Sequence, residues 1–284
     1  MANKPKITKA IIPVAGWGTR RLPITKAIEK SMLPVGNRPL VDYSVQELIA
    51  AGITDIYMVV SNVDPCQVRE FYSDNIALNL YLEERGKKDR LALAKTLPDN
   101  VSIHYTVQDP SGKYGTAVPI SMVIEEYNIE EPVIVFMGDD LIWNPGGKTA
   151  AELLIEGMGQ TDESAILGLE INGPEISKFA ALSMDKNGYL AGIVEKPKPE
   201  EAPTNLASVG KYILSTDLQA EIVKYVHENN FGVHDQEYMI TDPIDTFIKK
   251  GGAVKVVKTD GEQLDGGTLE GWVHANNVVC GIDK

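Results

Sequence analysis

The chain has 284 residues and a formal net charge of −13, with 27 Lys and Arg against 40 Asp and Glu. This acidic balance excludes a protein that coats nucleic acid, because such a protein needs a basic face to displace phosphate counterions. Hydrophobic residues make up 43% of the chain and charged residues 24%, which is ordinary for a globular protein and argues against disorder. The length fits two domains or one large α/β domain.

Cysteine and histidine usage excludes several kinds of site. The two cysteines, Cys66 and Cys280, are too few for a disulfide scaffold and too far apart for a CxxC metal site. No zinc site is indicated, because metal-ligand spacing is missing among the four histidines, His104, His227, His234 and His274. The apolar run at 10–14 is too short for a signal-peptide core, and no stretch approaches the roughly 18 apolar residues of a membrane span. We therefore expect a soluble cytoplasmic protein.

Strand-like and helix-like runs alternate through the first 140 residues, which predicts right-handed crossovers and a mostly parallel sheet. The continuous apolar run at 9–14 predicts a strand buried on both faces, and three further strands are predicted at 53–60, 101–107 and 132–137. Helices are predicted at 41–51, 64–72 and 116–127, and a charged surface helix at 78–95. A loop is expected from residue 15 to about residue 36.

The second half begins with short strand-like runs that are separated by turn residues, at 164–169, 180–184, 190–194 and 211–214. Helical patterns return at 217–228 and 237–249, a late strand is expected at 253–258, and a closing helix at 268–279. Residues 141–159 give little signal. Because no repeat and no low-complexity linker interrupts the chain, we predict one compact α/β unit with a small β-rich insertion.

The strongest local signal directly follows the first strand and reads Gly16-Trp17-Gly18-Thr19-Arg20-Arg21. Glycines let the backbone approach a ligand closely, and successive N–H groups can cradle phosphate oxygens. The motif is neither a Rossmann fingerprint nor a P-loop, because Arg21 stands where a third glycine belongs and no Gly-Lys-Ser or Gly-Lys-Thr is present. Gly-x-Gly alone also fits a tight turn without a ligand. Arg20 and the nearby Lys30, two cations in an acidic chain, favour a polyphosphate site.

Acidic residues at the ends of strand-like runs form the other candidate site. Asp139 follows the strand predicted at 132–137, and ligands of parallel sheets bind beyond the carboxyl ends of the strands, where a carboxylate is well placed to hold Mg²⁺. Asp265, just before the closing helix, is a second such carboxylate. Glu195 and Lys196 end another run. Each feature also fits a simpler interpretation, which is a turn or helix cap for the aspartates and an exposed ion pair for Glu195 and Lys196.

In combination, these motifs resemble the signature of the sugar-1-phosphate nucleotidylyltransferases. The signature covers Ile12-Pro13-Val14-Ala15-Gly16-Trp17-Gly18-Thr19-Arg20, followed by Leu22-Pro23, Thr25-Lys26-Ala27-Ile28, Lys30 and Met32-Leu33-Pro34. The likeness continues in order through Gln108, 115–117, Asp139, 194–197, 209–212, 241–242 and 265–267. The segment Thr25-Lys26-Ala27-Ile28 is most similar to bacterial members of the uridylyl branch.

The resemblance implies a Rossmann-like three-layer nucleotidyltransferase fold, classed as α/β, with a mixed, mostly parallel central sheet. We expect a single domain over 1–284, with a nucleotide-binding part at about 7–140 and a sugar-binding part at about 141–284. The implied reaction is the Mg²⁺-dependent, in-line transfer of UMP from UTP to glucose 1-phosphate. The implied assembly is a homo-oligomer, either a dimer or a tetramer. Thymidylyl transfer, another sugar 1-phosphate, and a non-catalytic regulatory paralogue that binds a nucleotide sugar remain as alternatives.

Roles for individual residues also follow from the resemblance alone. The nucleotide would be bound by Ala15, Gly16, Gly18, Thr19, Gln108 and Gly115. The catalytic cations would be Arg20 on the triphosphate, Lys30 at the α-phosphate and Lys196 on the sugar phosphate. The sugar would be bordered by Ala180, Glu195, Val209 and Gly210, and Mg²⁺ would be bound by Asp139 and Asp265. The family usually has Tyr-Gly where this chain has Phe179-Ala180. Because a sugar phosphate is already ionised at neutral pH, no general base is needed, and catalysis rests on positioning and electrostatic stabilisation.

Overall fold

A computed structural model describes residues 7–158, 162–231 and 236–282. His234, which entered the sequence analysis, lies outside these ranges. Within them the strands are β1 (Lys9–Pro13), β2 (Pro34–Val35), β3 (Arg38–Pro39), β4 (Asp55–Ser61), β5 (Ser102–Gln108), β6 (Val133–Phe136), β7 (Asp140–Trp143), β8 (Ser164–Glu170), β9 (Ala180–Met184), β10 (Leu190–Glu195), β11 (Leu206–Leu214), β12 (Val254–Thr259) and β13 (Glu262–Asp265). The helices are α1 (Leu40–Ala50), α2 (Gln67–Tyr72), α3 (Ile76–Glu84), α4 (Lys88–Ala94), α5 (Ala117–Glu126), α6 (Ala150–Gly157), α7 (Thr216–Glu228), α8 (Thr241–Lys249) and α9 (Leu269–Cys280).

The central sheet is mixed and mostly parallel, as predicted. Strands β6, β1, β4 and β5 lie side by side and are parallel, and β8 and β12 form a second parallel pair. Strand β11 joins the two groups and is antiparallel to both β6 and β8. The hairpin of β9 and β10 pairs with the first part of β11. The predicted β-rich insertion is therefore continuous with the central sheet.

Helices cover both faces of this sheet, which gives the three layers expected from the sequence. Ile11 belongs to one hydrophobic cluster together with buried residues of α5, α7 and α8. Its neighbours Ala10 and Ile12 belong to the opposite cluster, with buried residues of α1 and α6. The uninterrupted apolar sequence of β1 follows from this burial on both faces, since a strand that lies inside a parallel sheet has no solvent side. Among the described residues, no helix is long and apolar enough to cross a membrane.

A bulge in β11 shapes one side of the later site. The register of β11 against β8 shifts between Ser208 and Tyr212. Gly210 lies in this bulge with a φ of 67°, in the left-handed region that favours glycine. Its carbonyl accepts a 2.9 Å hydrogen bond from the backbone N–H of Met137, just beyond β6. The bulge therefore brings β11 close to the carboxyl end of β6.

The small antiparallel pair of β7 and β13 was not predicted from the sequence. It places Asp140 directly opposite Asp265. In addition, the backbone N–H of Gly266 donates a 3.2 Å hydrogen bond to the carbonyl of Asp139. These contacts bring the two predicted metal-binding aspartates together although 126 positions separate them in the sequence.

Two predicted helices differ from the structure. The charged helix predicted at 78–95 is two helices, α3 and α4, because Gly86 takes a φ of 64° between them. The helix predicted at 237–249 begins only at Thr241. The segment before it is held outside the helix by two 2.9 Å backbone hydrogen bonds, from Tyr238 to the carbonyl of Tyr114 and from Ala117 to the carbonyl of Tyr238. The short strands β2 and β3 and the helix α6 were also missed.

Candidate active site

Two adjoining cavities lie beyond the carboxyl ends of the parallel strands, where ligands of α/β sheets bind. The larger has a volume of about 580 Å³ and is lined by residues that follow β1, β4, β5 and β6. The smaller, of about 190 Å³, lies beside the bulge of β11 and the end of β10. Thr116, Met137 and Asp139 line both cavities, so Asp139 lies at their junction.

The predicted site residues divide between these cavities according to their expected roles. Lining the larger cavity are Ala15, Gly16, Gly18, Thr19, Arg20, Lys30, Gln108, Gly115 and Asp139. Lining the smaller are Ala180, Glu195, Lys196, Val209 and Gly210. Asp265 lines neither cavity and lies behind Gly267, which lines the larger one. The structure thus gathers the predicted residues, and their individual roles stay predictions.

The glycine-rich loop folds back on itself, and this places Lys30. Gly18 has a φ of 62°, and a Cβ atom at this position would lie 2.9 Å from Cβ of Lys30. The Thr25 hydroxyl donates a 2.9 Å hydrogen bond to the carbonyl of Gly18. Residues Thr19–Arg21 then form a 3₁₀ turn that leaves Arg20 exposed at the cavity wall. Only glycine at position 18 allows this close approach.

A second contact, which the sequence analysis missed, holds the segment before Lys30. The side-chain oxygen of Gln67 accepts a 2.9 Å hydrogen bond from the backbone N–H of Glu29, and the N–H of Gln67 donates to the Glu29 carboxylate. The amide nitrogen of Gln67 also donates to the carbonyl of Ala27 at 2.8 Å. The start of α2 is therefore tied to the loop on both sides of Ile28.

Lys30 and Asp139 form an ion pair, with 2.6 Å between Nζ and Oδ2. The Lys30 side chain is 12% exposed, whereas that of Asp139 is 49% exposed. Burial among protein atoms raises the pKa of the Asp139 carboxyl, but the Lys30 ammonium outweighs burial, and the pKa lies below its ordinary value. Asp139 is therefore ionised at neutral pH and open to a ligand.

Asp265 is held by its own chain and lies close to Lys30. Its Oδ1 accepts a 2.6 Å hydrogen bond from the N–H of Gly267, and its Oδ2 accepts from the Thr268 hydroxyl at 3.1 Å. A Cβ atom at Gly267 would lie 2.8 Å from Asp265 Oδ1 and 3.2 Å from Lys30 Nζ. The Lys30 ammonium, which is paired with Asp139, therefore also lies near Asp265, and a larger residue at position 267 would press against both Asp265 and Lys30.

The chemistry of this donor set fits a hard divalent cation. Among the described residues, no group of three or more His, Cys, Asp and Glu side chains could hold a metal. A pair of carboxylates is the contribution that Mg²⁺ usually takes from a protein when phosphate oxygens and water complete its octahedron. Asp139 and Asp265 are the residues that would hold it.

The smaller cavity contains the predicted pair of Glu195 and Lys196, with 3.7 Å between Nζ and Oε1. Lys196 has a φ of 41°, which is uncommon for a residue other than glycine and typical of functional turns. Burial raises the pKa of the Glu195 carboxyl, and the nearby Lys196 ammonium only partly opposes this. Ala180 is 6% exposed, so its methyl group occupies part of the cavity wall.

A buried lysine behind the site was also missed by the sequence analysis. Lys211 is 1% exposed and forms a 2.6 Å ion pair with Asp140. The signal was available, because a charged residue stands inside the otherwise apolar strand β11. The role of Thr116 was also not predicted from the sequence. Its hydroxyl accepts a 2.9 Å hydrogen bond from the N–H of Ile240 and thereby holds the segment before α8.

The site defines the class of protein first. A glycine-rich loop with the cations Arg20 and Lys30, placed opposite paired carboxylates beyond the ends of parallel strands, is the arrangement of an α/β protein that binds phosphorylated nucleotides. A family model described as nucleotidyl transferase matches residues 9–280. The chain belongs to the nucleotidyl transferase family.

Comparison with similar proteins shows which members of this family the chain resembles. A UTP–glucose-1-phosphate uridylyltransferase from Pseudomonas aeruginosa is 32% identical over 277 residues, which cover 95% of each chain. A UTP-bound UGPase from Acinetobacter baumannii superposes with a TM-score of 0.83 at 26% identity, covering 98% of this chain and 94% of that one. A UDP-glucose pyrophosphorylase in complex with UDP-glucose superposes with a TM-score of 0.80 at 26% identity, covering 97% and 99%.

Proposed function

We propose that the protein is a UTP–glucose-1-phosphate uridylyltransferase, which transfers UMP from UTP to glucose 1-phosphate and releases pyrophosphate. The observation that carries the proposal is the junction of the two cavities at Asp139, beside Lys30. The larger cavity suits a nucleoside triphosphate and the smaller a sugar phosphate, so the two phosphate groups meet at this junction. The names of the similar proteins support UTP and glucose 1-phosphate as the pair.

The reaction has to bring two phosphorylated anions together, and the cations of the site reduce the repulsion between them. Arg20 at the wall of the larger cavity binds the triphosphate, Lys30 lies where the α-phosphate reacts, and Lys196 binds the phosphate of the sugar. One unit-charge pair at ~4 Å is worth roughly 4 kcal/mol at an effective dielectric constant near 20, so three cations offset much of the repulsion. The sugar phosphate attacks the α-phosphorus in line and needs no base, because it is already ionised.

The remaining residues orient the substrates. Gln108 offers both an amide donor and an acceptor at the end of β5, which suits the edge of a pyrimidine base, and Gly115 offers its backbone. The Glu195 carboxylate accepts hydrogen bonds from sugar hydroxyls, with Ala180, Val209 and Gly210 bordering the sugar. Mg²⁺, when bound by Asp139 and Asp265, supplies further neutralisation of phosphate charge. The metal identity, a cytoplasmic location and assembly into dimers or tetramers are parts of this proposal.

A pyrophosphate-release assay tests the proposal. Each of UTP, dTTP, ATP, GTP and CTP is combined with glucose, galactose, mannose and N-acetylglucosamine 1-phosphates, with and without Mg²⁺. We expect the largest kcat/KM for UTP with glucose 1-phosphate. A larger value for dTTP would indicate thymidylyl transfer, and a larger value for another sugar would correct the acceptor. Tight binding of UDP-glucose without turnover of any pair would indicate a regulatory paralogue. Size-exclusion chromatography with light scattering tests the assembly.

A further inference from the structure

Lys211 is a fully buried cation whose three N–H donors are all used. Its Nζ lies 2.6 Å from Oδ1 of Asp140, 2.9 Å from the carbonyl of Met137 and 3.3 Å from the carbonyl of Asp140. The ammonium also lies 5.0 Å from the centre of the Phe136 ring. A buried charge is costly unless it is paired and hydrogen-bonded. The partners of the Lys211 ammonium therefore indicate which part of the structure this charge stabilises.

The partners of Lys211 bracket Asp139. Met137 lies two residues before Asp139 and Asp140 one residue after it. The Lys211 ammonium therefore donates hydrogen bonds to both sides of the turn that carries the Asp139 carboxylate. The turn itself is tightly packed, because a Cβ atom at Gly138 would lie 2.5 Å from Val14. Lys211 thus holds the backbone of this turn from the interior of the protein.

The same network reaches Asp265. The second carboxylate oxygen of Asp140, Oδ2, accepts a 2.6 Å hydrogen bond from the side-chain amide of Gln263. Gln263 lies on β13 two residues before Asp265, and Asp265 pairs with Asp140 across β7 and β13. The Asp140 carboxylate therefore connects the Lys211 ammonium to the strand that carries the second metal-binding aspartate.

We propose that Lys211 is a positioning residue which, through Asp140 and Gln263, sets the relative placement of Asp139 and Asp265 and thereby the affinity of the site for a divalent cation. This inference rests on the proposed function, in which these aspartates share a metal. A contribution to fold stability alone would not need these groups, because well-packed apolar residues often replace a buried ion pair without loss of stability. Partners beyond the direct ligands typically change metal affinity by about 10–100-fold when they are removed.

The test uses Lys211→Met, Lys211→Arg and Gln263→Leu in the full chain, with Lys258→Met as the control. Lys258 lies on β12 of the same sheet, but its side chain is 50% exposed and pairs with Glu170, and neither residue lines either cavity. Mn²⁺ affinity is measured by electron paramagnetic resonance in the presence of UTP and the absence of a sugar phosphate, so that no turnover is required. Melting temperature and the KM values of UTP and glucose 1-phosphate are measured alongside.

We expect Lys211→Met to weaken Mn²⁺ binding by about 10–100-fold and Gln263→Leu by about tenfold. Lys211→Arg keeps the charge and should recover part of the loss, and Lys258→Met should bind as the wild type does. If Lys211→Met does not fold, Gln263→Leu decides, because it leaves the ion pair intact. Wild-type Mn²⁺ affinity in the folded variants, with only a lower melting temperature, would overturn the inference. Failure of uridylyl transfer in a wild-type protein that binds Mn²⁺ would instead count against the proposed function.

Discussion

Nζ of Lys30 lies 2.6 Å from Oδ2 of Asp139, so the most enclosed cation of the larger cavity is paired with the carboxylate at the junction of the two cavities. The pair neutralises itself before substrates arrive. When a triphosphate and a divalent cation enter, each partner has a better-placed opposite charge, since phosphate oxygens attract the ammonium and the metal attracts the carboxylate. Both residues are therefore expected to contribute chiefly when substrate is bound.

Lys30→Ala should lower kcat by roughly a thousandfold, because one cation at ~4 Å is worth about 4 kcal/mol at an effective dielectric constant near 20. The fold should stay intact, since the backbone contacts of the loop do not use the lysine side chain. Pyrophosphate release and the melting curve measure the two effects. Lys224→Ala, a substitution of an exposed lysine on α7 that lines neither cavity, is the control and should retain activity. Near-normal turnover in Lys30→Ala would remove Lys30 from the catalytic residues.

Asp139→Asn should abolish activation by Mg²⁺, because an amide oxygen lacks the negative charge that attracts a hard cation. The measurement is a Mg²⁺ titration at saturating UTP and glucose 1-phosphate, together with titration calorimetry of the metal in the presence of UTP. Asp89→Asn, at an exposed position on α4, is the control. An unchanged titration curve in the Asp139 variant would defeat its assignment as a metal ligand.

The order of strands and helices could be predicted because each long element has a recognisable pattern of apolar residues. Strand β1 is apolar at every inner position, and α1 carries an apolar stripe that ends near Gly52. The pair of β7 and β13 could not be predicted, because each strand has only four residues and β13 begins with the polar residues Glu262 and Gln263. Short polar strands form only when the tertiary structure supplies a partner.

The site divides in a similar way. The glycine-rich loop and the strand-end carboxylates are local patterns, so the residue types that line the cavities were predictable. Contacts between distant residues were not, as the hydrogen bonds between Glu29 and Gln67 show, because nothing in either residue's neighbourhood specifies the other. Lys211 lies between these cases, since a charge inside an apolar strand indicates a buried partner but does not name Asp140.

Gly115→Ala should disturb the nucleotide cavity. Gly115 has a φ of 125°, and a Cβ atom there would lie 2.4 Å from the backbone nitrogen of Tyr238. The segment that carries Tyr238 would have to move, so we expect a loss of roughly 1–3 kcal/mol in stability and a higher KM for UTP. Thermal melts and UTP saturation curves measure both. Gly112→Ala is the matched control, because its nearest contact is an ordinary 3.4 Å to the carbonyl of Asp109. Equal behaviour of the two variants would contradict the prediction.

Protonation of Glu195 should lower the activity at acidic pH, which gives the pH profile for the sugar substrate an acid limb. Burial raises the pKa of this carboxyl above the ordinary value of about 4.3 for glutamate. As the pH falls through the raised pKa, Glu195 takes up a proton, and its hydrogen bond with a sugar hydroxyl weakens because the acceptor no longer carries a charge. The value of kcat/KM for glucose 1-phosphate should then fall, while the KM for UTP should hold. The pH profile of Glu195→Gln separates this limb from ionisation of the sugar phosphate, which both proteins share.

The same shift predicts a change in stability with a definite sign. Because the pKa of Glu195 is higher in the folded than in the unfolded protein, the folded state binds the proton more tightly, and ionisation of Glu195 costs stability as the pH rises through the raised pKa. Glu195→Gln removes that cost. We therefore expect the variant to melt at a higher temperature than the wild type at pH 7–8, and the difference to shrink near pH 3, below the ordinary pKa of about 4.3, where the wild-type carboxyl is largely protonated in both states. A constant difference across this range would show that packing, and not ionisation, separates the two proteins.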